Sequence, residues 1–361
     1  MKKTVKLGTL GDIFIGLTYH PDDVSNEGTI VLRSSNIQDG RLDFSDVVRV
    51  KCSIRDNLFV KQNDILMCSR NGSAKLVGKC ALLPKSDEKM TFGAFMTIIR
   101  TEHNEYLLHF FNSNTFRNQL GSAATTTINQ ITRKMLDDIC VPLYDNEKEH
   151  HITSKFNKIE ALIYKKQQQL SKLDELVKSR FIELFSDKYQ TMTLENVCEE
   201  LFAGGDVKKD RLSDIKTDEY PYPIYTNGEK NNGLYGYTNI IRVKKEAVTI
   251  SGRGTIGFTC LRKEAFYPAV RLIVAVPNQQ FVSGCYLKHF IESKNYGGQG
   301  ASIPQLTVPM IKDELIPVPP IELQEQFATF VEQVDKSKLA IQKSLEKLEI
   351  LKKSLMQQYF G

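Results

Sequence analysis

The sequence predicts an α+β protein: two globular domains separated by two long antiparallel helices in a pseudo-two-fold internal repeat. Three observations lead there. One stretch of about sixty residues occurs twice, near Ile128–Phe185 and again near Ile303–Phe360. Each copy ends in a run without Gly or Pro, Glu147–Phe185 and Ile321–Phe360, long enough for one continuous helix. The segments before these runs alternate short strand-like stretches with turn residues, the mark of compact mixed domains. The expected boundaries are 1–145 for the first head, 146–187 for the central helix, 188–319 for the second head and 320–361 for the C-terminal helix.

The duplication is register-true. At an offset of 175, Ile128 meets Ile303, Gln130 meets Gln305 and Thr132 meets Thr307, and the pairing continues through Leu170 and Leu345, Leu176 and Leu351, and Phe185 and Phe360. A small insertion near the prolines of the second copy is expected, cancelled before its helix begins. A period of this length sets the architecture before any single element is considered.

Within the helices, apolar residues recur at alternating steps of four and three. The first seam is Ile152, Phe156, Ile159, Ile163, Leu170, Leu173 and Val177; the second is Phe327, Val331, Val334, Ile341, Leu345 and Leu348. This is a heptad pattern for helix–helix packing. Lys166, Arg180, Lys338 and Lys352 interrupt it, as long cations do when their stems cover apolar surface and their heads reach out. About 40 residues make a rod of roughly 60 Å. Parallel pairing would oblige the second head to reach back along the whole rod, whereas antiparallel pairing needs a local return. The expected object is a ruler with a head at each end.

The first head opens with an expected short helix or turn over Leu7–Phe14. Strands are expected at Thr29–Arg33, Val47–Lys51, Ile65–Cys68, Lys79–Leu83 and Phe95–Arg100, and a helix over Tyr106–Gln119, followed by an exposed loop at Gly121–Thr127. The second head repeats the plan loosely, with strands at Pro223–Tyr225, Ala247–Ser251, Gly257–Leu261 and Leu272–Val276, a helix at Gly284–Ser293 and a Gly-rich loop from Tyr296 to Ala301.

Composition bounds the class. The N-terminus has no apolar core of signal-peptide length, and no run of 18 apolar residues exists, so a membrane is not expected. Seven scattered cysteines, none in a C-x-x-C pair, read as free thiols in a reducing cytoplasm. The net charge is +5; residues 1–145 carry 18 basic and 16 acidic groups and residues 188–319 carry 16 and 14, so the small excess lies on the heads. Heads that touch DNA need local basic patches rather than a large net charge, so this balance permits DNA binding and does not demonstrate it.

Two motifs invite a nucleotide and fail. Gly252–Gly257 fits G-x-G-x-x-G after a strand, but the following residues read as another strand, leaving no helix N-terminus for a pyrophosphate. Gly72–Cys80 resembles a P-loop with one residue too many and Cys80 in place of Ser or Thr. The six histidines show no metal spacing, and no catalytic constellation, metal site or bound cofactor is expected.

The heads instead carry polar turns suited to DNA. In the first, Arg33, Ser34, Ser35 and Asn36 follow one strand, and Ser69, Arg70, Asn71, Ser73 and Lys75 follow another. In the second, Tyr225, Thr226, Asn227, Lys230 and Asn231 form one group, and Ser251, Arg253 and Thr255 the other. Arginine suits guanine and asparagine suits adenine through paired hydrogen bonds to a base edge; hydroxyls and lysines suit phosphates. Loops are polar in general, so each residue competes with that plainer explanation.

Two variable heads alternating with two similar long helices resemble the DNA specificity subunit of type I restriction-modification systems. The resemblance covers the whole chain. It is most specific at Asp313–Gln326, which looks like the family's Pro-rich lead into its helix, and at Asp64–Ile–Leu with Ser69–Ser73, which looks like a target-recognition domain, as does Ser251–Gly257. The first helix departs from the pattern, since Val141–Glu149 lacks the Pro-Pro and Gln-Glu-Gln elements. The resemblance implies that each head reads one half of a bipartite site in double-stranded DNA and that the helices set an unread gap. It implies two methyltransferase subunits methylating adenine N6 with S-adenosylmethionine, and restriction (translocase) subunits using ATP and Mg2+, all outside this chain. Two other readings stay open at this level: a stand-alone DNA-binding regulator and a coiled-coil scaffold.

Overall fold

The computed structural model describes residues 2–122, 130–186, 189–207, 209–294, 296 and 305–361. The chain divides into two compact units, Met1–Gln167 with Lys343–Gly361, and Gln168–Gln342. Each unit therefore takes about half of each long helix, Asn146–Phe185 and Ile321–Phe360.

In the first unit an antiparallel sheet runs Gly11–Ile15, Met96–Thr101, Ile65–Cys68, Cys80–Leu82. A second runs Met90–Phe92, Thr29–Leu32, Val48–Val50, Val24–Ser25, with its first two strands parallel. A third pairs Lys3–Lys6 with Cys140–Leu143. The second unit repeats all three: Cys198–Ala203, Ile273–Pro277, Ala247–Ile250, Thr259–Arg262; then Tyr267–Pro268, Tyr222–Tyr225, Leu234–Thr238, with its first pair parallel; and Thr191–Thr193 with Leu315–Pro317. The heads share a topology that their diverged sequences show only in outline.

The core follows from strand periodicity. In Ile65–Cys68 all four residues are buried. Successive side chains point to opposite faces, so Ile65 and Met67 join the cluster under the helices while Leu66 and Cys68 join the cluster between the sheets. In the second unit Val248 and Ile250 face the helices and Ala247 faces the other sheet. A strand covered on both sides reads as continuous apolar sequence, which is why both were legible.

In each unit the long helices pair antiparallel. In the first, Phe156 stacks on Phe360 at 5.8 Å, and Lys352 reaches Glu160 at 2.9 Å. In the second, Phe181 meets Phe327 at 5.4 Å and Lys338 reaches Asp174 at 2.5 Å. Two of the cations that interrupt the heptads thus end on carboxylates of the other helix. Ile152, Phe156, Ile159, Ile163, Val177, Phe327, Val331 and Val334 are buried; Leu170, Leu173, Ile341, Leu345 and Leu348 are half-buried.

The repeat also fixes each head to its helices by matching hydrogen bonds. The Tyr106 hydroxyl donates to the Pro142 carbonyl, and the Tyr286 hydroxyl to the Pro317 carbonyl at 2.8 Å. Buried Gln324 accepts from the Ser283 amide at 2.8 Å and donates to the Phe281 and Pro319 carbonyls. At the matching place in the first helix stands buried Glu149, which accepts from the Tyr144 amide and lies 2.7 Å from His103. The offset of 175 relates Pro142 to Pro317 and Glu149 to Gln324 as well as the helix ends, so the expected insertion near the prolines is absent.

Three local expectations need correction. Leu7–Phe14 is a single 3-10 turn, Leu7–Thr9, followed by the strand Gly11–Ile15, whose buried Ile13 joins the core. The helix over Tyr106–Gln119 is two helices, Asn104–Phe111 and Asn114–Ser122. Between them the Ser113 hydroxyl accepts from the Phe116 amide, a cap that starts a new helix rather than extending the old one. The strands Lys3–Lys6, Thr191–Thr193 and Cys198–Ala203 had no counterpart in the sequence reading. Residues 123–127 and 297–301 of the two expected loops lie outside the described residues. All seven cysteines are free, and no described helix is long and apolar enough to cross a membrane.

Candidate nucleic-acid interface

In the first unit the polar turns after Thr29–Leu32 and Ile65–Cys68 are joined, because the Asn71 side-chain amide donates to the Ser34 hydroxyl at 3.2 Å. Not all of their residues are free to meet a ligand. Asn36 is buried and fully used: its oxygen accepts from the Arg33 amide at 2.8 Å and its nitrogen donates to the Asp43 and Asp46 carbonyls. Ser69 is buried and donates to the Phe95 carbonyl at 3.0 Å. Arg33 is half-buried and paired with Asp46 at 2.8 Å. These three build the turns. Arg70, Ser73 and Lys75 are exposed, and Ser34 and Asn71 half-buried. Arg70 lies over the Phe95 ring at 5.3 Å, a cation–π contact to an aromatic residue that is itself 57% exposed. Beside them a groove of about 420 Å³ is lined by Leu17, Tyr19, Arg33, Ser34 and Phe95.

The second unit uses its asparagine in the same structural way. Asn227 donates to the Val270 carbonyl at 2.6 Å and accepts from the Gly252 amide at 2.7 Å, so one side chain staples two turns. Ser251, buried, accepts from the Gly228 amide at 3.1 Å and ties in a third. Tyr225 is buried, stacked under Arg262 at 3.6 Å and bonded to Glu264 at 2.7 Å; burial first, and then that hydrogen bond, push its phenol up to about 12. Thr226 is half-buried, and Lys230, Asn231, Arg253 and Thr255 are exposed. Asn231 sits in the left-handed region at φ 50°, which asparagine tolerates.

Four residues at these turns escaped the sequence reading. The Gln305 side-chain oxygen accepts from Arg253 Nε at 3.0 Å and Nη2 at 2.7 Å, and from Arg271 Nη1 at 3.3 Å. In the first unit Gln130, the repeat partner of Gln305, forms a backbone bridge with Arg70. The fourth is Phe95. The register match of Gln130 with Gln305 was the available signal for the two glutamines. Nothing local marked Arg271 or Phe95.

The two rejected nucleotide motifs have plain structural roles. A Cβ on Gly252 would come within 2.6 Å of the Leu306 carbonyl oxygen, and Gly257 has φ 82°. The strand Thr259–Arg262 follows, as expected. Lys79 of the would-be P-loop donates to the Ile37 carbonyl at 2.8 Å. Gly252→Ala is expected to part the turn from Leu306 and lower the second unit's stability by about 1–3 kcal/mol. Faster amide exchange confined to the turns at 251–257 and 305–311 is the measurement that checks it.

Comparison with known proteins bears on these surfaces. Residues 186–352 match the type I restriction modification DNA specificity domain. A Mycoplasma pneumoniae protein assigned as a type I specificity subunit is 26% identical over 304 residues, covering 80% of this chain and 77% of the relative. The EcoKI specificity subunit of Escherichia coli K12 is 26% identical over 181 residues, 48% of this chain and 39% of its own length. The crystal structure of a type I restriction-modification S subunit from M. genitalium shares the fold, with a TM-score of 0.61 at 14% identity over 100% of this chain and 96% of the other. A second solved chain, from work on the assembly of a type I system, has a TM-score of 0.58 at 15% identity over 99% of this chain and 97% of its own. With the internal repeat, the duplicated three-sheet heads and the paired long helices, these matches identify the chain as a member of the family of type I restriction-modification DNA specificity subunits.

Proposed function

We propose that this chain carries the DNA address of a type I restriction-modification complex. Each unit reads one half of a bipartite site in double-stranded DNA, and the long helices hold the halves at a fixed spacing with an unread gap. Two methyltransferase subunits dock on the chain and perform adenine N6 methylation with S-adenosylmethionine; restriction subunits add ATP- and Mg2+-dependent cleavage. The work is cytoplasmic, where the DNA is. The observation that carries this reading is the recurrence of one three-sheet unit with its polar turns at the same place in both copies. A pseudo-symmetric reader fits two enzymes acting on opposite strands.

Paired docking has support on the helices. Tyr164 and Leu339 hold the same repeat position and are 40% and 52% exposed; Leu176 and Leu351 hold another and are 47% and 46% exposed. Each unit therefore offers the same two apolar positions, one from each helix, as two copies of one partner require.

The test is co-expression with a type I methyltransferase subunit, followed by mapping of methylated adenines. A split motif with one gap length, lost when this chain is omitted, supports the reading. Absence of methylation with tight site-specific binding by the chain alone favours a regulator instead. Inserting one heptad at paired positions in both helices adds roughly 10 Å of rise, or about three base pairs at 3.4 Å each. The expected motif keeps both halves and widens its gap by about that amount. An unchanged gap would remove the ruler from this account.

A further inference from the structure

The two heads pass from one sheet to the other, Met90–Phe92 to Met96–Thr101 and Tyr267–Pro268 to Ile273–Pro277, through the same two-residue turn. The Met96 amide bonds the Gly93 carbonyl at 2.8 Å, and the Leu272 amide bonds the Ala269 carbonyl at 3.1 Å. Gly93 and Ala269 make matching parallel bridges, to Leu17 and Gly205. Position for position, Phe95 of the first unit corresponds to Arg271 of the second. Each stands beside the arginine of the neighbouring polar turn: Arg70 over the Phe95 ring, Arg253 joined to Arg271 through Gln305. One scaffold thus presents a different side chain at one place in its two copies, as a reader of two different half-sites must.

In the second unit that place is unusual in two ways. Val270 and Arg271 both have left-handed backbones, φ 48° and 61°. Gly, Asn and Asp are the usual choices there, and a β-branched residue is disfavoured. The Asn227 amide holds the turn by its Val270 carbonyl. The two exposed guanidinium groups also converge on one neutral oxygen, and among the described residues neither has a carboxylate within ion-pair distance. Their positive charge is left for a ligand. Gln305 takes the Nε–Nη2 edge of Arg253, which orients that fork, and tethers Arg271 through Nη1; both groups keep donors in hand. A phosphate also takes a fork, but it accepts a lysine or a swinging cation as well. A fork held in one plane gains most at a base edge with two fixed acceptors, which in the major groove is guanine O6 and N7.

We infer that Arg253 and Arg271, oriented by Gln305, are the guanine-reading pair of the second unit. The inference rests on the DNA-reading function proposed above. Gln305 is a positioning residue; the two arginines make the contact.

The test uses the complex with its methyltransferase partner and duplexes carrying the mapped site, with single base-pair replacements across the second half-site, compared by competition at one salt concentration. The wild-type complex is expected to discriminate against replacement of a G·C pair by roughly 5- to 150-fold. Arg271→Ala should abolish discrimination at one such pair, and Arg253→Ala at the pair it reads. Gln305→Ala should lower discrimination at both pairs part of the way toward that of the arginine variants while leaving affinity for duplexes already lacking the guanine unchanged. Wild-type amide protection of the second unit's strands Ala247–Ile250 and Ile273–Pro277, with retained discrimination at the other base pairs of the second half-site, shows that each variant is folded. A second half-site without G·C pairs overturns the inference. So does an Arg271→Ala variant that weakens every duplex equally and lowers the salt slope by about one, the signature of a phosphate contact. A wild-type complex with no sequence preference at all would instead refute the underlying DNA-reading function.

Discussion

Asp64→Ala should destabilise the first unit by about 3–5 kcal/mol, because it strips the partner from a largely enclosed guanidinium. Asp64 is 1% exposed; it accepts from Arg100 Nε at 2.8 Å and Nη2 at 2.6 Å, and from the Lys61 amide at 2.7 Å. Arg100 also donates to the Phe59 carbonyl and packs over the Phe14 ring. Its hydrogen bond to Asp64 holds its pKa above the ordinary guanidinium value. The pair joins the end of Met96–Thr101 to the turn before Ile65–Cys68, and the latter strand delivers Ser69, Arg70 and Asn71. Hydrogen exchange resolved by peptide should show both strands losing protection while the second unit stays unchanged. Replacing both partners together, Asp64→Leu with Arg100→Met, should cost less than Asp64→Ala alone, since no unpaired charge remains. Equal protection in Asp64→Ala and wild type would show that the pair does not hold the strands.

Phe327→Ala should cost the second unit about 3–5 kcal/mol, the usual loss for a fully buried phenylalanine. Phe327 is 0% exposed and sits among Phe181 at 5.4 Å, Phe185 at 5.5 Å and His289 at 5.2 Å. Its ring is where the second long helix, the end of the first and the helix Gly284–Ser293 meet, so its loss separates the head from its support rather than merely thinning a core. Exchange should rise in 177–185, 284–293 and 321–334 together. Under the function proposed above, methylation by the complex should fall with it, because a site read in two halves needs both readers held. Phe327→Leu should be much milder, since it keeps most of the volume. Rise confined to the substituted helix would refute the shared junction.

Sequence alone determined the parts of this protein that depend on near neighbours. The two long helices, the strands Ile65–Cys68 and Ala247–Ile250, and the helix Gly284–Ser293 each carry their own period and their own stop signals, so local spacing was enough. Repetition across 175 residues added the internal symmetry. Tertiary structure decided what depends on distant partners. Lys3–Lys6 is a strand because Leu143 lies opposite Lys3, and Thr191–Thr193 because Pro317 lies opposite Thr191. The same distinction divides the candidate interface. Asn36, Ser69, Asn227 and Ser251 look as fit for DNA as Arg70 or Arg253 in the sequence, but each is committed to backbone groups that the fold brings to it. Arg271 and Phe95 gave no local sign, and they matter because the fold sets them beside Arg253 and Arg70. A polar side chain is free or occupied according to what reaches it in space, and contacts between distant segments are not written in the residues beside it.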